Sequence, residues 1–453
     1  MTDVDLRSGN GPGSDPGPRS GADPRSGSEP RSGSNPRSGG DSRSGTGPGF
    51  ATGLRCVHCS RVSPLDDGVY VCPACGGNHT LEYDLEAIRR AWPRDALERN
   101  DDRTIWRYAP LLPVEGRLEG PPVGWTPLVP APTLARALGI RELFLKDDGR
   151  NPSASFKDRA SAVALQRARE TGHELVTGAS TGNAASATAV LAAAVGLRTR
   201  IFVPRTAPRA KIAQLLTFGA EVLAVDGTYD QAFDLCIEAT RRYGWYNRNT
   251  GFNPYTREGK KTVSFEICEQ YHWVVPDLVV VPVGDGNIIS GVWKGFREFE
   301  RLGFIDRCPR LLAAQADGSA AVVDAARGDG VIRPVSGDTV ADSISVSLPR
   351  DGEAAVQAIR ESGGFGVTVS DEAILAAIGE VARGAGIFGE PAASAAWAGL
   401  REAVRQGLVD PSWSVVVLIT GNGLKDVAAA MKAVSEPRVI SPDASALDAL
   451  FGT

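Results

Sequence analysis

From about residue 105 onward, short β-branched runs alternate with Ala-rich stretches of helical period, and this alternation leaves few possible folds. Runs at 174–177, 199–203, 221–225, 278–283 and 414–420 are followed by helical stretches at 183–195, 208–218, 229–243, 288–302 and 424–434. Strand–helix repetition of this kind builds parallel sheets wrapped by helices on both faces. In a chain of 453 residues the pattern is longer than one doubly wound sheet needs. An α/β architecture of two lobes with a cleft between them is therefore expected. Open sheets of this type place ligands where strands run into helices.

Chemistry-bearing residues gather at those junctions. In Asn151-Pro152-Ser153-Ala154-Ser155-Phe156-Lys157-Asp158-Arg159 a lysine stands just before a helical run at 158–170. The helix dipole and the neighbouring Phe156 both favour its neutral amine, which can form a Schiff base with a carbonyl cofactor, above all pyridoxal phosphate. Taken alone, a solvated surface charge explains Lys157 better. Ser180-Thr181-Gly182-Asn183 opens the next helix. Its hydroxyls and amides suit a carboxylate and Asn183 a phenolate oxygen, although a plain N-cap with a close-packed glycine serves equally. In Val283-Gly284-Asp285-Gly286-Asn287-Ile288 the glycines let backbone N–H groups approach a phosphate at a helix end. Asp285 is awkward beside a dianion, so its side chain is expected to point outward and accept backbone hydrogen bonds. The run does not match a dinucleotide fingerprint. Thr420-Gly421-Asn422-Gly423 closes an apolar strand; Thr420 can meet a pyridine nitrogen, or the segment is simply a glycine turn.

Ahead of the α/β region, Cys56, Cys59, Cys72 and Cys75 form C-x2-C-x12-C-x2-C. That spacing suits a tetrahedral four-thiolate zinc site on two knuckle turns, within a ribbon at 53–82. The complete thiolate set leaves His58 and His79 no coordination position. A remnant without metal, or two disulfides, are the alternatives, and disulfides do not suit a cytoplasmic chain. Arg55 and Arg61 are too few for a nucleic-acid patch, so the ribbon is expected to be structural. Cys236, Cys268 and Cys308 stand singly, as buried small hydrophobes do. Residues 1–52 are low in complexity: Arg19, Arg25, Arg31, Arg37 and Arg43 recur every six residues, each followed by Ser-Gly. Such a segment buries too little surface to offset its ordering entropy, so disorder is expected. Residues 83–453 are left as the catalytic region. A net charge of −5 gives no reason to expect nucleic acid or an anionic membrane as partner. With no long apolar run and no apolar leader, the expectation is a cytoplasmic protein.

Taken in order, these motifs resemble those of threonine synthases, fold-type II pyridoxal-phosphate enzymes whose architecture is that of the tryptophan synthase β chain. The resemblance runs from Gly124-Trp125-Thr126-Pro127-Leu128 through the lysine motif, the Ser180–Ala185 loop, Asn253-Pro254-Tyr255, Glu258-Gly259-Lys260-Lys261-Thr262 and the glycine loop to Glu390-Pro391-Ala392 and Thr420–Asp426. It implies that Lys157 holds the cofactor as a Schiff base and that Asn183 contacts its O3′. It places Gly284, Asp285, Gly286, Asn287 and Ile288 at the phosphate and Thr420 at N1. It also implies a small amino-acid substrate, with Ser180 and Thr181 on its carboxylate, and a homodimer. Some members of the family carry a four-cysteine ribbon.

The departures concern the substrate. Where the family has Arg-Leu after N-P-[HY], this chain has Thr256-Arg257, and a hydroxyl does not replace the bidentate guanidinium that grips a substrate phosphate. If the segment is extended, alternating side-chain direction turns Arg257 away; Lys260 is the other candidate. Asn422 stands where the family has histidine, and 342–352 departs from the family pattern. The resemblance therefore implies a lyase that converts O-phospho-L-homoserine and water to L-threonine and phosphate. Alternatives are β-replacement on O-phosphoserine, as in cysteate synthases, elimination as in threonine/serine dehydratases, and a non-enzymatic zinc-ribbon adaptor.

Overall fold

The computed structural model describes residues 49–452 except Asp67, Thr181 and Pro208, and omits the side chain of Ala210. All but the last few residues of the 1–52 tail therefore lie outside the described residues. The strands are β1 (Ala51–Cys56), β2 (Val62–Ser63), β3 (His79–Tyr83), β4 (Leu128–Pro130), β5 (Glu142–Asp147), β6 (Leu175–Ala179), β7 (Arg198–Pro204), β8 (Glu221–Val225), β9 (Tyr246–Asn247), β10 (Leu278–Pro282), β11 (Arg310–Ala316), β12 (Phe365–Val369) and β13 (Ser414–Ile419). They form three sheets, ordered β2-β1-β3, β8-β7-β6-β9 and β12-β11-β10-β13-β5-β4.

The four-stranded sheet is parallel throughout. The six-stranded sheet is mixed, which corrects the expectation of purely parallel sheets, because β4 pairs antiparallel with β5. An edge position suits β4, since Pro130 has no N–H to offer a further neighbour. Both large sheets carry helices, as the alternation requires. The central strands β10, β11 and β13 are buried on both faces, with a period of two that divides them between two cores. Val279 and Val281 of β10 pack with Phe296 and Phe299 on one face, and Leu278 and Val280 pack with Trp397 and Leu400 on the other. Each fully buried aliphatic side chain contributes roughly 1.5–3 kcal/mol, so these strands hold the site's scaffold rigid. Among the described residues no helix is long and apolar enough to cross a membrane.

Two local expectations change. The stretch 255–260 is a helix, Tyr255–Lys260, so alternation along an extended chain does not apply to Arg257. The single helix expected at 424–434 is a short turn, Gly423–Asp426, followed by Val427–Lys432. Asp426 breaks it by capping the second segment, accepting from Ala429 N at 3.0 Å.

Candidate active site

Lys157 is the first residue of helix Lys157–Glu170, and its loop is fastened to the turn that ends β13. Phe156 N donates to Thr420 O at 2.8 Å and Asn422 N to Ala154 O at 3.0 Å, and Lys425 Nζ donates to Ser153 O at 2.9 Å. Ala154 sits in the left-handed region at φ +60°, strain of a kind that surrounding structure must hold in place. From behind, Arg159 on the same helix binds Asp148 and Glu266, all three buried. Glu266 also accepts from Trp125 N at 2.8 Å and Thr126 N at 3.2 Å, which explains the Gly124–Leu128 motif as a brace for this helix. Burial pushes the Lys157 amine below the ordinary lysine range, with Arg248 adding to the effect and Glu390 and Asp285 opposing it.

Lys157 opens into a cavity of about 620 Å³ between the two large sheets, lined from the carboxyl ends of β6, β10 and β13. Ser180, Asn183, the five residues Gly284 to Ile288, Lys260 and Thr420 all line it; Thr181 lies outside the described residues. Ser180 Oγ accepts from Gly182 N at 3.2 Å. Asn183 spends both amide protons inside the site, on Ser343 Oγ at 3.2 Å and on Glu390 Oε1 at 2.6 Å. Burial raises the Glu390 carboxyl while Lys425 and Lys157 pull it down. A Cβ at Gly421 would stand 2.3 Å from Glu390 Oε1, so the first glycine of the Thr420 motif makes room for that carboxylate. The burial of Glu390 beside Asn183 is a tertiary fact with no local signal in the sequence.

The glycine loop sits between β10 and helix Asn287–Leu302, whose N-cap Gly286 has φ +89°. The first N–H groups of that helix have no intrahelical acceptor and mark an anion site. Asp285 accepts from Arg350 N at 3.0 Å, the backbone bond expected of it. The residue also lines the cavity. Burial raises its carboxyl, which lessens the conflict with a nearby anion. Lys260 Nζ donates to Asn287 Oδ1 at 2.6 Å, and burial, Lys157 and Arg248 together hold its amine well below the usual range. Arg248 lies in the same wall, with its Nη1 donating to Thr250 Oγ1 at 3.0 Å and burial lowering it to about 10.

Among the described residues none of Lys157, Arg248 and Lys260 forms an ion pair, although all three face the cavity. Arg248 and Lys260 are buried with no direct ion-pair partner, a costly arrangement that an anion in the cavity relieves. Arg248 and Lys260, the Lys157 amine biased toward its neutral form and a glycine turn at a helix start together fit a phosphorylated aldehyde cofactor. Thr256 and Arg257 do not contribute here. Thr256 is fully buried, its Oγ1 donating to Asn253 O at 2.8 Å. Arg257 turns toward the ribbon and binds Asp351 and His79 O. The segment 342–352 does reach the cavity: Asp342 pairs with Lys211, and Arg350 pairs with Asp230 at 3.1 Å. Asn422 does not line it. Its Oδ1 accepts from Leu424 N at 3.0 Å and shapes the turn.

The four cysteine sulfurs of the β1–β3 sheet lie within 4.8 Å of one another, and all four thiols are free. Cys56 and Cys75 are 3.5 Å apart, Cys59 and Cys72 3.7 Å. Zn–S bonds of about 2.3 Å in a tetrahedron set sulfurs about 3.8 Å apart. After each Cys-x-x-Cys the chain turns through the left-handed region, at Ser60 (φ +60°) and Gly76 (φ +73°).

Comparison with known proteins agrees with this geometry. Residues 120–421 match the family described as pyridoxal-phosphate dependent enzyme. Threonine synthase of Methanocaldococcus jannaschii is 39% identical over 398 residues, covering 87% of this chain and 98% of that protein. Threonine synthase of Mycobacterium tuberculosis is 36% identical over 353 residues, covering 76% of this chain and 92% of its own. Threonine deaminase isoform 2 from Solanum lycopersicum superposes with a TM-score of 0.59 at 23% identity, over 68% of this chain and 87% of that one; at that identity the likeness speaks for the fold alone. The chain is therefore a lyase of the pyridoxal-phosphate dependent enzyme family, with the fold-type II architecture and close kinship to proteins named threonine synthase.

Proposed function

We propose that the chain converts O-phospho-L-homoserine and water to L-threonine and phosphate. The observation that carries this reading is the group of basic side chains without a direct ion pair, Lys157, Arg248 and Lys260, around the glycine turn, combined with kinship to threonine synthases over most of the chain. Lys157 would hold pyridoxal phosphate covalently, Gly284–Ile288 its phosphate, Asn183 its O3′ and Thr420 its N1. Bound there, the cofactor supplies an electron sink for negative charge developing on the substrate carbons. Lys157 then has a second duty as acid and base: it takes the proton from Cα and returns protons along the side chain as phosphate leaves Cγ and water adds at Cβ. Ser180 and Thr181, with the amides of their helix start, would hold the α-carboxylate. Lys260 is the cation placed to take the role that Thr256 has given up, because it faces the cavity while Arg257 does not.

We further infer that Cys56, Cys59, Cys72 and Cys75 hold a structural zinc ion in a ribbon at 53–82, on the sulfur spacing given above. The purified chain, supplied with pyridoxal phosphate, is to be incubated with O-phosphohomoserine and separately with O-phosphoserine. Phosphate release accompanied by threonine from the first supports the reading. Release from O-phosphoserine alone moves the assignment to β-replacement or elimination, as the diverted Arg257 would then require.

A further inference from the structure

We propose that Asn78, on the four-cysteine ribbon, is a positioning residue for Lys260 in the cavity, acting through Asp351 and Asn287. The proposal rests on the reading of this cavity as a phosphoryl-binding site. Asn78 is itself fixed by the cysteine turns: Val57 N, next to Cys56, donates to Asn78 O at 2.8 Å, and Cys72 N donates to the adjoining Gly77 O at 2.8 Å. Its amide then leaves the ribbon, donating to Arg350 O at 2.6 Å and to Asp351 Oδ1 at 3.0 Å.

Asp351 is buried and uses both oxygens. Oδ1 takes Asn78 and Arg257; Oδ2 takes Asn287 Nδ2 and Ser290 Oγ, each at 2.8 Å. Arg257, missing from the cavity, is thus explained as the counter-charge that holds this carboxylate in place. An amide has one donating and one accepting end. With Asn287 Nδ2 committed to Asp351, its Oδ1 must face Lys260, and it accepts from Nζ at 2.6 Å. If Asp351 shifts, Asn287 is free to flip and present N–H groups to an ammonium, and Lys260 loses its fixed position. The backbone of Asp351 works in the same direction. Its N–H donates to Asp285 O at 2.9 Å, and its carbonyl lies 2.8 Å from where a Cβ on Gly286 would stand. The ribbon is therefore part of the anion site and not merely a separate stabilising module.

The test is a double-mutant cycle on the full-length chain. Wild type, Asn78→Ala, Lys260→Met and the double variant are titrated with pyridoxal phosphate and with pyridoxal, which lacks the phosphate, and KM is measured for O-phosphohomoserine. The first pair reports on the cofactor's phosphoryl group, the last on the substrate's. Asn78→Ala should weaken one of them by about tenfold, and that factor should vanish when Lys260 is already methionine, as expected for residues coupled through one network. His58→Ala, which removes the ribbon's exposed contact to Glu353, should change neither. Metal content and thermal midpoint check that the ribbon stays folded; if Asn78→Ala loses it, Asn78→Asp, which keeps the size but sets a carboxylate against Asp351, should show the same weakening and the same dependence on Lys260. Independent, multiplying effects of the two substitutions, or no effect at position 78, would overturn the proposal. Failure of the wild-type chain to bind pyridoxal phosphate would instead overturn the reading of the cavity itself.

Discussion

Replacing Glu266 with glutamine should destabilise the fold by about 3 kcal/mol at neutral pH and loosen the helix that carries Lys157. Glu266 is fully buried and accepts from Lys146 Nζ at 2.7 Å, from both terminal nitrogens of Arg159 and from two backbone N–H groups of the Gly124–Leu128 segment. Burial alone would raise its carboxyl, but Arg159 and Lys146 outweigh burial and hold it at about 2, against an ordinary 4.5. That depression corresponds to about 3 kcal/mol of native stability, in line with the roughly 3–5 kcal/mol lost when one partner of a buried ion pair is removed. Because the folded value lies below the unfolded one, this stability is present above pH 4.5 and is lost as pH falls toward 2. Urea unfolding of wild type and Glu266→Gln at pH 7 and at steps down to the acid limit measures it. The gap should be widest at pH 7 and should narrow between about 4.5 and 2. A gap under about 1 kcal/mol at pH 7, or one indifferent to pH, would refute the electrostatic account of the brace.

Lys157→Ala should abolish the borohydride-trapped link between protein and cofactor and lower phosphate release by at least 10²–10⁴-fold, the usual loss for a general acid–base group; trapped-peptide mass and a phosphate assay measure both. Gly286→Ala forces a side chain into φ +89° and to within 2.8 Å of Asp351 O. The left-handed backbone alone costs about 1–2 kcal/mol, so cofactor affinity in a fluorescence titration should fall roughly five- to thirtyfold. One zinc per chain should be released when a mercurial blocks the thiols, and Cys59→Ser should lower both metal content and the thermal midpoint. A chain with no bound zinc and an unchanged midpoint would contradict the ribbon's structural role.

The architecture was legible from the period of the apolar residues. The strands read at 221–225, 278–283 and 414–420 are β8, β10 and β13 to within a residue or so; β10 and β13, buried along their length, are continuous apolar runs between turn signals. β5, β11 and β12 gave no such signal. Lys146 and Asp147 make β5 look polar at one end, yet Lys146 is fully buried against Glu266, a compensation that only the folded chain supplies. The cavity residues carried by recurring motifs were legible too: Lys157, Asn183, the glycine loop and Thr420 meet in one space. Glu390 and Asp351 were not legible as site residues, since each acts through a partner more than sixty positions away in the chain, and Arg248 reaches the cavity from a segment that carries no motif.

The same distinction explains the Thr256-Arg257 exchange. Read along the sequence, it looks like the loss of a phosphate ligand beside a misplaced arginine. In the fold, 255–260 is one helical segment: Thr256 satisfies its hydroxyl on Asn253 O, Arg257 goes to Asp351 and the ribbon, and Lys260, four residues after Thr256 and so on its side of the helix, reaches the cavity. The guanidinium at 257 sits at the ribbon seam, and the amine at 260 faces the cavity. Restoring the family residue by Thr256→Arg would place a guanidinium in a fully buried position with its hydroxyl partner removed, and should lower stability without improving KM for a phosphorylated substrate. A gain in KM with unchanged stability would mean that position 256, and not Lys260, sets the grip on phosphate.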